Sequence, residues 1–375
     1  MKILFIAGFR SDILARNGVS KKINLEIKTF QRLGNEVDFL EFVSGRVYLI
    51  QNGNRVFLSE DSGSFYSVMN RVYLRLHRSL RTLEIYDLVY VRYEYFGFPM
   101  IRFFRAIKRV NKKTKIVGEM PTFAKYPPTS TSLKRKVFFY IKRVFSLLFN
   151  ENIDLIATFS NHRKIFNVST VNIENFVDFD TVKIRSPSEN DVLDILAVAQ
   201  LAPQHGYDRL IKGLKIYYEL PKAAKVIFHV VGDGSEKKKL EELSFDLGLD
   251  EDVKFYGSLG GSDLDRLFDL ADIGVGSLAS FRRGVQKASD LKIREYAARG
   301  LPFIYTAEEP QLEGFFFAKK IPFDETPVNI KDIVDFHNSL KMTEHYIVEK
   351  MRGFAEREFA CETQLSKILD RLDRG

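Results

Sequence analysis

Along the chain, short apolar runs rich in β-branched and aromatic residues alternate with longer stretches whose apolar positions recur every three or four residues. In the first half, runs at 2–7, 36–40, 88–91, 115–117, 155–158 and 171–173 predict strands. The stretch 19–33 predicts a helix that stops at Gly34, a residue suited to a left-handed cap. One hairpin interrupts the series: 47–50 and 55–58 are joined by Gln51-Asn52-Gly53-Asn54, and Asn-Gly is a strong short-range hairpin signal. The pattern loosens into polar residues around Pro187, at 178–191, which predicts a linker. It then restarts, with strands at 195–199, 226–231, 253–255, 273–275 and 302–305. Helices are predicted at 207–220, 236–247, 264–270 and 290–299, and a last helical stretch from about 345 to 372.

This alternation predicts an α/β fold with two Rossmann-like parallel-sheet domains, residues 1–182 and 183–375. They are expected to face a cleft, with ligands at the carboxyl ends of the strands. The last helix is expected to cross back to the first domain. A chain of 375 residues can bury two cores without disulfides or metals. The single cysteine, Cys361, excludes a disulfide framework and a cysteine-rich zinc site, and it fits a reducing cytoplasm. No apolar run approaches the roughly 18 residues of a membrane span. The opening run is short for a signal peptide and is expected to be a buried strand.

Charge adds a partner. Residues 1–180 hold 29 Lys/Arg against 16 Asp/Glu, a net +13, while the remaining 28 against 33 leave −5. A basic half suits a polyanionic surface, nucleic acid or an anionic membrane. Arg71, Arg75, Arg78 and Arg81 recur at helical spacing among Tyr73, Leu74, Leu76 and Leu80. Arg102, Arg105, Lys108, Arg109 and Lys112 do the same among Phe103, Phe104 and Ile107. Between 123 and 149 there are six basic residues, Lys134, Arg135 and Lys136 among them, and no acidic one, interleaved with aromatics. Three helices with basic and aromatic faces point to the inner face of the plasma membrane. No recognised nucleic-acid module surrounds them, so no nucleic acid is expected.

The most informative stretch for chemistry is Ser289-Asp290-Leu291-Lys292-Ile293-Arg294-Glu295-Tyr296-Ala297-Ala298-Arg299-Gly300-Leu301-Pro302. Ser289 is a candidate N-cap and Gly300 a C-terminal stop. Free N–H groups at such a helix start suit a diphosphate, and Glu295, about two turns in, suits ribose hydroxyls. A capped surface helix with a solvated Glu accounts for the same spacing. Gly232-Asp233-Gly234 opens a helix after a strand, but the dinucleotide fingerprint would need Gly at 237, which is Lys. The Asp-x-Asp pairs at 178/180 and 263/265 have a spacing too permissive to indicate a metal.

The 289–302 stretch resembles the donor site of retaining glycosyltransferases of the GT-B fold, specifically glycosyltransferase family 4. Asn17-Gly18-Val19-Ser20 resembles that family's first glycine turn, Gly34-Asn35-Glu36-Val37 its Gly-His-Glu-Val, and Asn175-Phe176-Val177-Asp178 its Asn-Gly-Val-Asp. Pro203-Gln204-His205-Gly206-Tyr207-Asp208-Arg209-Leu210-Ile211, Val231-Gly232-Asp233-Gly234-Ser235-Glu236, Phe255-Tyr256-Gly257 and Ala271-Asp272-Ile273 follow in the family's order. His-Gly-Tyr-Asp-Arg together with Ser-x-Leu-Lys-x-Arg-Glu-Tyr is similar to a capsule-polysaccharide branch. The resemblance implies sugar transfer from a nucleotide-diphosphate donor, UDP-sugar foremost, to a lipid-diphosphate-linked glycan in surface polysaccharide synthesis. It implies attack and departure on one sugar face without a protein nucleophile, and neither a metal nor a resident cofactor.

The donor contacts it implies are Gln200, His205, Gly206, Gly232, Asp233, Gly234, Tyr256, Gly257, Arg283, Ser289, Asp290, Leu291, Lys292 and Glu295. Two departures redistribute charge. The first of the family's paired Glu is Lys287 here, and the usual clamping Arg and Lys fall at Gln200 and His205. The phosphate charge is therefore assigned to Arg282, Arg283, Lys287 and Lys292, with Arg282 and Lys287 foremost. In the first domain, Asp12, Arg16, Asn17, Gly18, Arg92 and Tyr93 are candidate acceptor contacts, and Glu119 is a candidate to bind or deprotonate the acceptor hydroxyl. The competing readings are a nucleic-acid-binding protein and an inactive scaffold, the latter prompted by Lys287.

Overall fold

The computed structural model describes residues 1–8, 18–79, 86–92, 97–120, 152–160, 162–187, 191–287, 289–341 and 344–373, with backbone alone at 18, 19, 344 and 345. Asp12, Arg16, Asn17, Arg81, Tyr93 and the basic stretch 123–149 lie outside the described residues. The chain separates into two compact units, Met1–Glu174 with Cys361–Gly375, and Asn175–Ala360. The division falls between Glu174 and Asn175 rather than at 182/183, because the second unit holds the segment expected to be a linker. The Val177 N–H donates to the Phe359 carbonyl (3.0 Å). Buried Arg185 donates to the carbonyls of Gly300 (2.9 Å) and Ala271.

The first unit is built on β1 (Lys2–Ile6), β2 (Glu36–Val43), β3 (Arg46–Gln51), β4 (Asn54–Glu60), β5 (Leu88–Arg92), β6 (Lys115–Glu119), β7 (Leu155–Thr158), β8 (Lys164–Ile165) and β9 (Val168–Asn172). They lie in the order β4-β3-β2-β1-β5-β6-β7-β9-β8. The strands from β2 across to β9 pair in parallel, and β1 meets β5 in the register Ile3↔Leu88. The expected hairpin joins β3 to β4, with Asn52 (φ 49°) and Gly53 (φ 77°) both left-handed as its tight turn demands. A second hairpin, from β2 to β3, turns at Ser44 and Gly45.

Helices α1 (Gly18–Arg32), α2 (Phe65–Ser79) and α3 (Phe98–Val110) flank this sheet. On α2 and α3 the apolar halves are buried: Val72, Tyr73 and Leu76, and Phe103, Phe104 and Ile107, belong to the core. Arg71 reaches the Ser59 hydroxyl (2.9 Å) and the Ser62 carbonyl (2.7 Å), and Lys108 pairs with Asp154 (2.7 Å). The aromatic faces expected at a membrane are thus inside the unit, because a helix has one apolar stripe and this core takes it. Arg75, Arg78, Arg102, Arg105 and Arg109 remain exposed. Among the described residues no helix is long and apolar enough to cross a membrane.

The second unit runs β10 (Leu193–Val198), α4 (Tyr207–Tyr218), β11 (Val226–Val231), α5 (Lys237–Asp246), β12 (Val253–Gly257), α6 (Ser262–Leu270), β13 (Ile273–Val275), α7 (Leu291–Arg299), β14 (Phe303–Tyr305), β15 (Ala318–Lys320), α8 (Ile330–Lys341) and α9 (Glu344–Phe359). Its six strands are parallel, in the order β12-β11-β10-β13-β14-β15. The expected terminal helix is two helices, α9 and α10 (Cys361–Asp373). The latter groups with the first unit, where Cys361 is buried and Gln364 Oε1 accepts the Glu174 N–H (2.9 Å).

Candidate active site

From β10 the second sheet grows toward β11 and β12, and from β13 toward β14 and β15, so β10 and β13 are neighbours whose following segments diverge. Such a switch point opens a crevice at the carboxyl ends of the strands. The loops leaving β10 and β13 are laced together. The Leu278 N–H donates to the His205 carbonyl (2.9 Å) and the Ala279 N–H to the Gln204 carbonyl (3.1 Å). Gly206 permits this closeness, since a Cβ on it would lie 2.7 Å from the Ala279 Cβ, and its φ is +63°. Gly232 and Gly234 are needed for the same reason: a Cβ on either would strike the carbonyl of Ala199 or Leu201, at 1.8 and 2.1 Å. Their role is to bring backbone against backbone. Asp233 caps its own turn (Oδ1 to Gly234 N–H, 2.7 Å), and the Gly257 carbonyl accepts the Gly232 N–H (2.6 Å).

Helix α7 points its N-terminus into this crevice region. Asp290, not Ser289, holds the N-cap position, and its side chain makes no capping bond to the first turn. The Asp290 carboxylate instead accepts the Ser277 N–H (3.0 Å) from the loop after β13. Ser289 is spent elsewhere, its Oγ accepting the Asn175 N–H (2.9 Å). The helix start is anchored by Glu309, which accepts the Asp290 N–H (3.3 Å) and pairs with fully buried Arg294. An uncapped helix start carries about half a positive charge.

Lys292 adds a whole charge. Its Nζ donates to Ser277 Oγ (3.2 Å) and stands 5.9 Å from the centre of the Tyr207 ring, whose hydroxyl is buried without a hydrogen-bond partner. Burial pulls the Lys292 ammonium below its usual range, opposed by Asp290. Burial also raises the Asp290 carboxyl, but Lys292 and the Ser277 bonds outweigh it and hold it low. His205 stacks on Tyr207 (5.6 Å between centroids). Burial, then the Lys292 charge, drive its pKa down to about 3. It is therefore neutral, and since Nδ1 accepts the Ala202 N–H (3.2 Å), its proton sits on Nε2. The crevice thus presents a cation, a neutral N–H donor and a helix start, a set suited to an anion.

Of the other expected cations, Arg282 is committed. Arg282 grips Asp208 with two bonds (2.9 and 3.0 Å), binds Glu325 (Nε to Oε1, 3.0 Å) and donates to the Pro203 carbonyl (3.0 Å). Its charge is paired with two partly exposed carboxylates, which weakens its assignment as the foremost phosphate contact. Arg209 is likewise structural, donating to the carbonyls of Leu278, Pro322 (3.1 Å) and Thr326 (2.8 Å). The backbone at Lys287 forms an isolated parallel β-bridge with that at Glu308. Arg283 and Gln200 are exposed, and the Arg283 charge reaches His205. Leu291 is partly exposed. Glu295 accepts from Arg299 (2.9 Å), which also binds Asp265 (2.8 Å). The Tyr256 hydroxyl bonds His229 Nδ1 (2.8 Å), and His229 Nε2 bonds Asp194 (2.7 Å).

In the first unit Glu119 is fully buried at the end of β6 and bound by Lys22 of α1 (2.8 Å), with Arg92 at 3.7 Å. Burial favours its neutral form, but the two cations outweigh it and keep the carboxyl low. This contradicts a loop carboxylate poised to take an acceptor proton: strand β6 runs two residues further than expected and carries Glu119 into the core. Glu26 completes the cluster 3.7 Å from Lys22, and burial with the Glu119 charge pushes it up to about 8. Sequence reasoning passed over Lys22, Glu26, Ser277, Tyr207 and Glu309. A charged pair four residues apart inside an apolar helix pattern was the available signal for the first two; Glu309 and Ser277 carried none.

Comparison with known proteins points the same way. Residues 178–315 match the profile of the family Glycosyl transferases group 1, a span lying wholly in the second unit. An uncharacterised 41.2 kDa protein in the cps region of Klebsiella pneumoniae is 22% identical over 275 residues, 69% of this chain and 70% of that protein. A glycosyltransferase from Rickettsia africae superposes with a TM-score of 0.67 at 15% identity, over 100% of this chain and 98% of its own. Anabaena Alr3699/HepE, solved with UDP, superposes with a TM-score of 0.63 at 16% identity, over 100% of both chains.

Proposed function

We propose that this chain, a glycosyltransferase of GT-B fold with a group 1 segment at 178–315, moves a sugar with retention from a nucleoside diphosphate, UDP foremost, to a hydroxyl of a lipid-diphosphate-linked glycan in surface polysaccharide assembly. The observation that carries this reading is the crevice at β10 and β13, where the uncapped start of α7, Lys292 and the His205 Nε2–H converge. A departing nucleoside diphosphate carries two or three negative charges, and a helix start offers about half a compensating charge. Lys292 supplies the rest, with Arg283 and Lys287 as further candidates; Arg282 drops out because Asp208 and Glu325 consume it. Preorganised charge of this kind is the main lever on leaving-group departure. The UDP bound by the Anabaena protein supports the choice of nucleotide, and the cps-region relative supports the pathway.

Glu295 is proposed to take the ribose hydroxyls, sharing its carboxylate between them and Arg299. Glu295→Ala is then expected to weaken UDP binding by about 1–3 kcal/mol. The acceptor is proposed to meet the basic first unit at the cytoplasmic face of the membrane, through the exposed arginines of α2 and α3, with no nucleic acid and no resident cofactor involved. The test is thermal-shift titration of the whole chain with UDP, GDP, ADP, TDP and their sugars, since a ligand of the native state raises its melting temperature. UDP is expected to stabilise at low millimolar concentration or below; a flat response to all of them removes the reading.

A further inference from the structure

A second recess lies on the other edge of the sheet in the second unit. The Phe317 carbonyl accepts the Phe303 N–H (3.1 Å), which places residues 315–317 beside the amino-terminal ends of β14 and β15, whereas the crevice sits at carboxyl ends. Between this turn and α9 a groove of about 380 Å³ opens to solvent, a size that accommodates a ligand. Its walls are aromatic. Phe354 is buried against Phe315 (4.1 Å between centroids), while Phe316 and Tyr346 are 48% and 68% exposed.

Gly353 lies in the interior of α9, where glycine weakens a helix. No packing demand explains it, because a Cβ there would meet only Arg357 Nη1, at 3.7 Å. Its effect is a bare floor. On the same helix face, one turn to either side, stand Lys350 and Arg357, both exposed. Lys350 rests over Phe316 and Tyr346, its Nζ 5.7 and 4.9 Å from the ring centres. Neither cation has a carboxylate partner among the described residues, although Glu349 also lines the groove. A long basic side chain laid over aromatic rings, with its charge at the rim, is the arrangement found where protein meets a lipid headgroup layer.

We infer that this groove seats one anionic phospholipid of a bilayer surface, its phosphate over Gly353 between Lys350 and Arg357 and its acyl chain along Phe316 and Phe354. The inference extends the proposed membrane contact to a second surface, and it leaves nucleotide binding at the crevice untouched, so the two fail separately. The experiment is flotation of the whole chain with vesicles of phosphatidylcholine alone or with one-third phosphatidylglycerol, with UDP affinity measured alongside. Lys350→Ala with Arg357→Ala is expected to lower partitioning onto anionic vesicles about twenty-five-fold, at a factor of about five for each basic residue near an anionic surface. Binding to neutral vesicles and to UDP is expected to stay unchanged. Gly353→Leu fills the floor without altering charge and is also expected to weaken flotation. Parental flotation by both variants overturns the inference. So does inorganic phosphate competing as well as anionic vesicles, which makes the groove a plain anion site. A dimer that Gly353→Leu converts to monomer in sedimentation assigns the groove to a second copy and overturns it too.

Discussion

The two units place charge at comparable points of their sheets and use it in opposite ways. In each, the direction of strand addition reverses beside a central strand, β1 against β5 in the first and β10 against β13 in the second. At the first, Lys22 and Arg92 close on the Glu119 carboxylate beside the Glu26 carboxyl, which keeps its proton to about pH 8, and all four are buried. At the second, the compensation is incomplete. Arg282, Arg294 and Arg209 are consumed by carboxylates and carbonyls, but Lys292, balanced in part by the nearby Asp290 carboxylate, has among the described residues a hydrogen bond only to the Ser277 hydroxyl, beside the start of α7. A cation locked onto a buried carboxylate stabilises a fold; a cation left at a crevice is suited to an anion. The difference also separates Arg from Lys: the forked guanidinium locks loops together, and the ammonium stays available.

The sharpest way to break this comparison is Lys22→Ala. It strips the buried Glu119 carboxylate of its nearest cation, and removing one partner of a buried pair typically costs about 3–5 kcal/mol. Denaturant unfolding followed by probes in the first unit is expected to show that loss. Stability within 1 kcal/mol of the parent (roughly the measurement's reach) would deny the cluster its structural role.

The converse is Lys292→Ala. Here the fold is expected to lose only the partial compensation of Asp290, while UDP affinity falls by about 1.5–3 kcal/mol, roughly ten- to 150-fold, the worth of a charge-assisted bond. Calorimetric titration reads the affinity and the melting temperature of the free protein reads the stability. A drop in stability with unchanged affinity would reverse the roles assigned to the two units.

The pH response sharpens the contrast, because its sign differs. Glu26 holds its proton to about pH 8 in the folded state but to about 4.5 when unfolded, so the first unit loses stability as pH rises from 4.5 through 8. His205 titrates near 3 folded against 6.5 unfolded, so the second unit gains stability as pH rises from 3 to 6.5. His337, lowered to about 4, adds to the same slope. Unit-resolved hydrogen exchange at pH 5 and pH 8 is expected to show opposite trends, with Glu26→Gln flattening the first and His205→Gln reducing the second. An imidazole resonance of His205 titrating near 6.5 would contradict the neutral donor.

The smallest effect is expected from Arg282→Ala. Its partners Asp208 and Glu325 are partly exposed, so the network is worth about 1 kcal/mol of stability. UDP affinity is expected to change less than about three-fold, in contrast to Lys292→Ala. A loss of nucleotide binding equal to that of Lys292→Ala would return Arg282 to the phosphate site.

Much of the architecture was legible along the chain because it rests on local rules. The period of the apolar residues separated strands from helices, Asn52-Gly53 specified its hairpin, and Gly34 and Gly300 marked helix ends, as positive φ at both bears out. The motif order also carried the glycosyltransferase character of the 178–315 segment. What escaped were choices made by partners distant in sequence. Whether Arg282 faces a ligand or Asp208 depends on two segments 74 residues apart. Whether Glu119 is a base or a core ion depends on Lys22, 97 residues away. Ser289 looked like an N-cap until Asn175 claimed it across 114 residues. Periodicity and capping act within a turn or two and can be read from neighbours. Charge compensation acts through space between whichever groups the fold brings within a few ångströms, so only the tertiary structure decides which cations remain to meet a substrate.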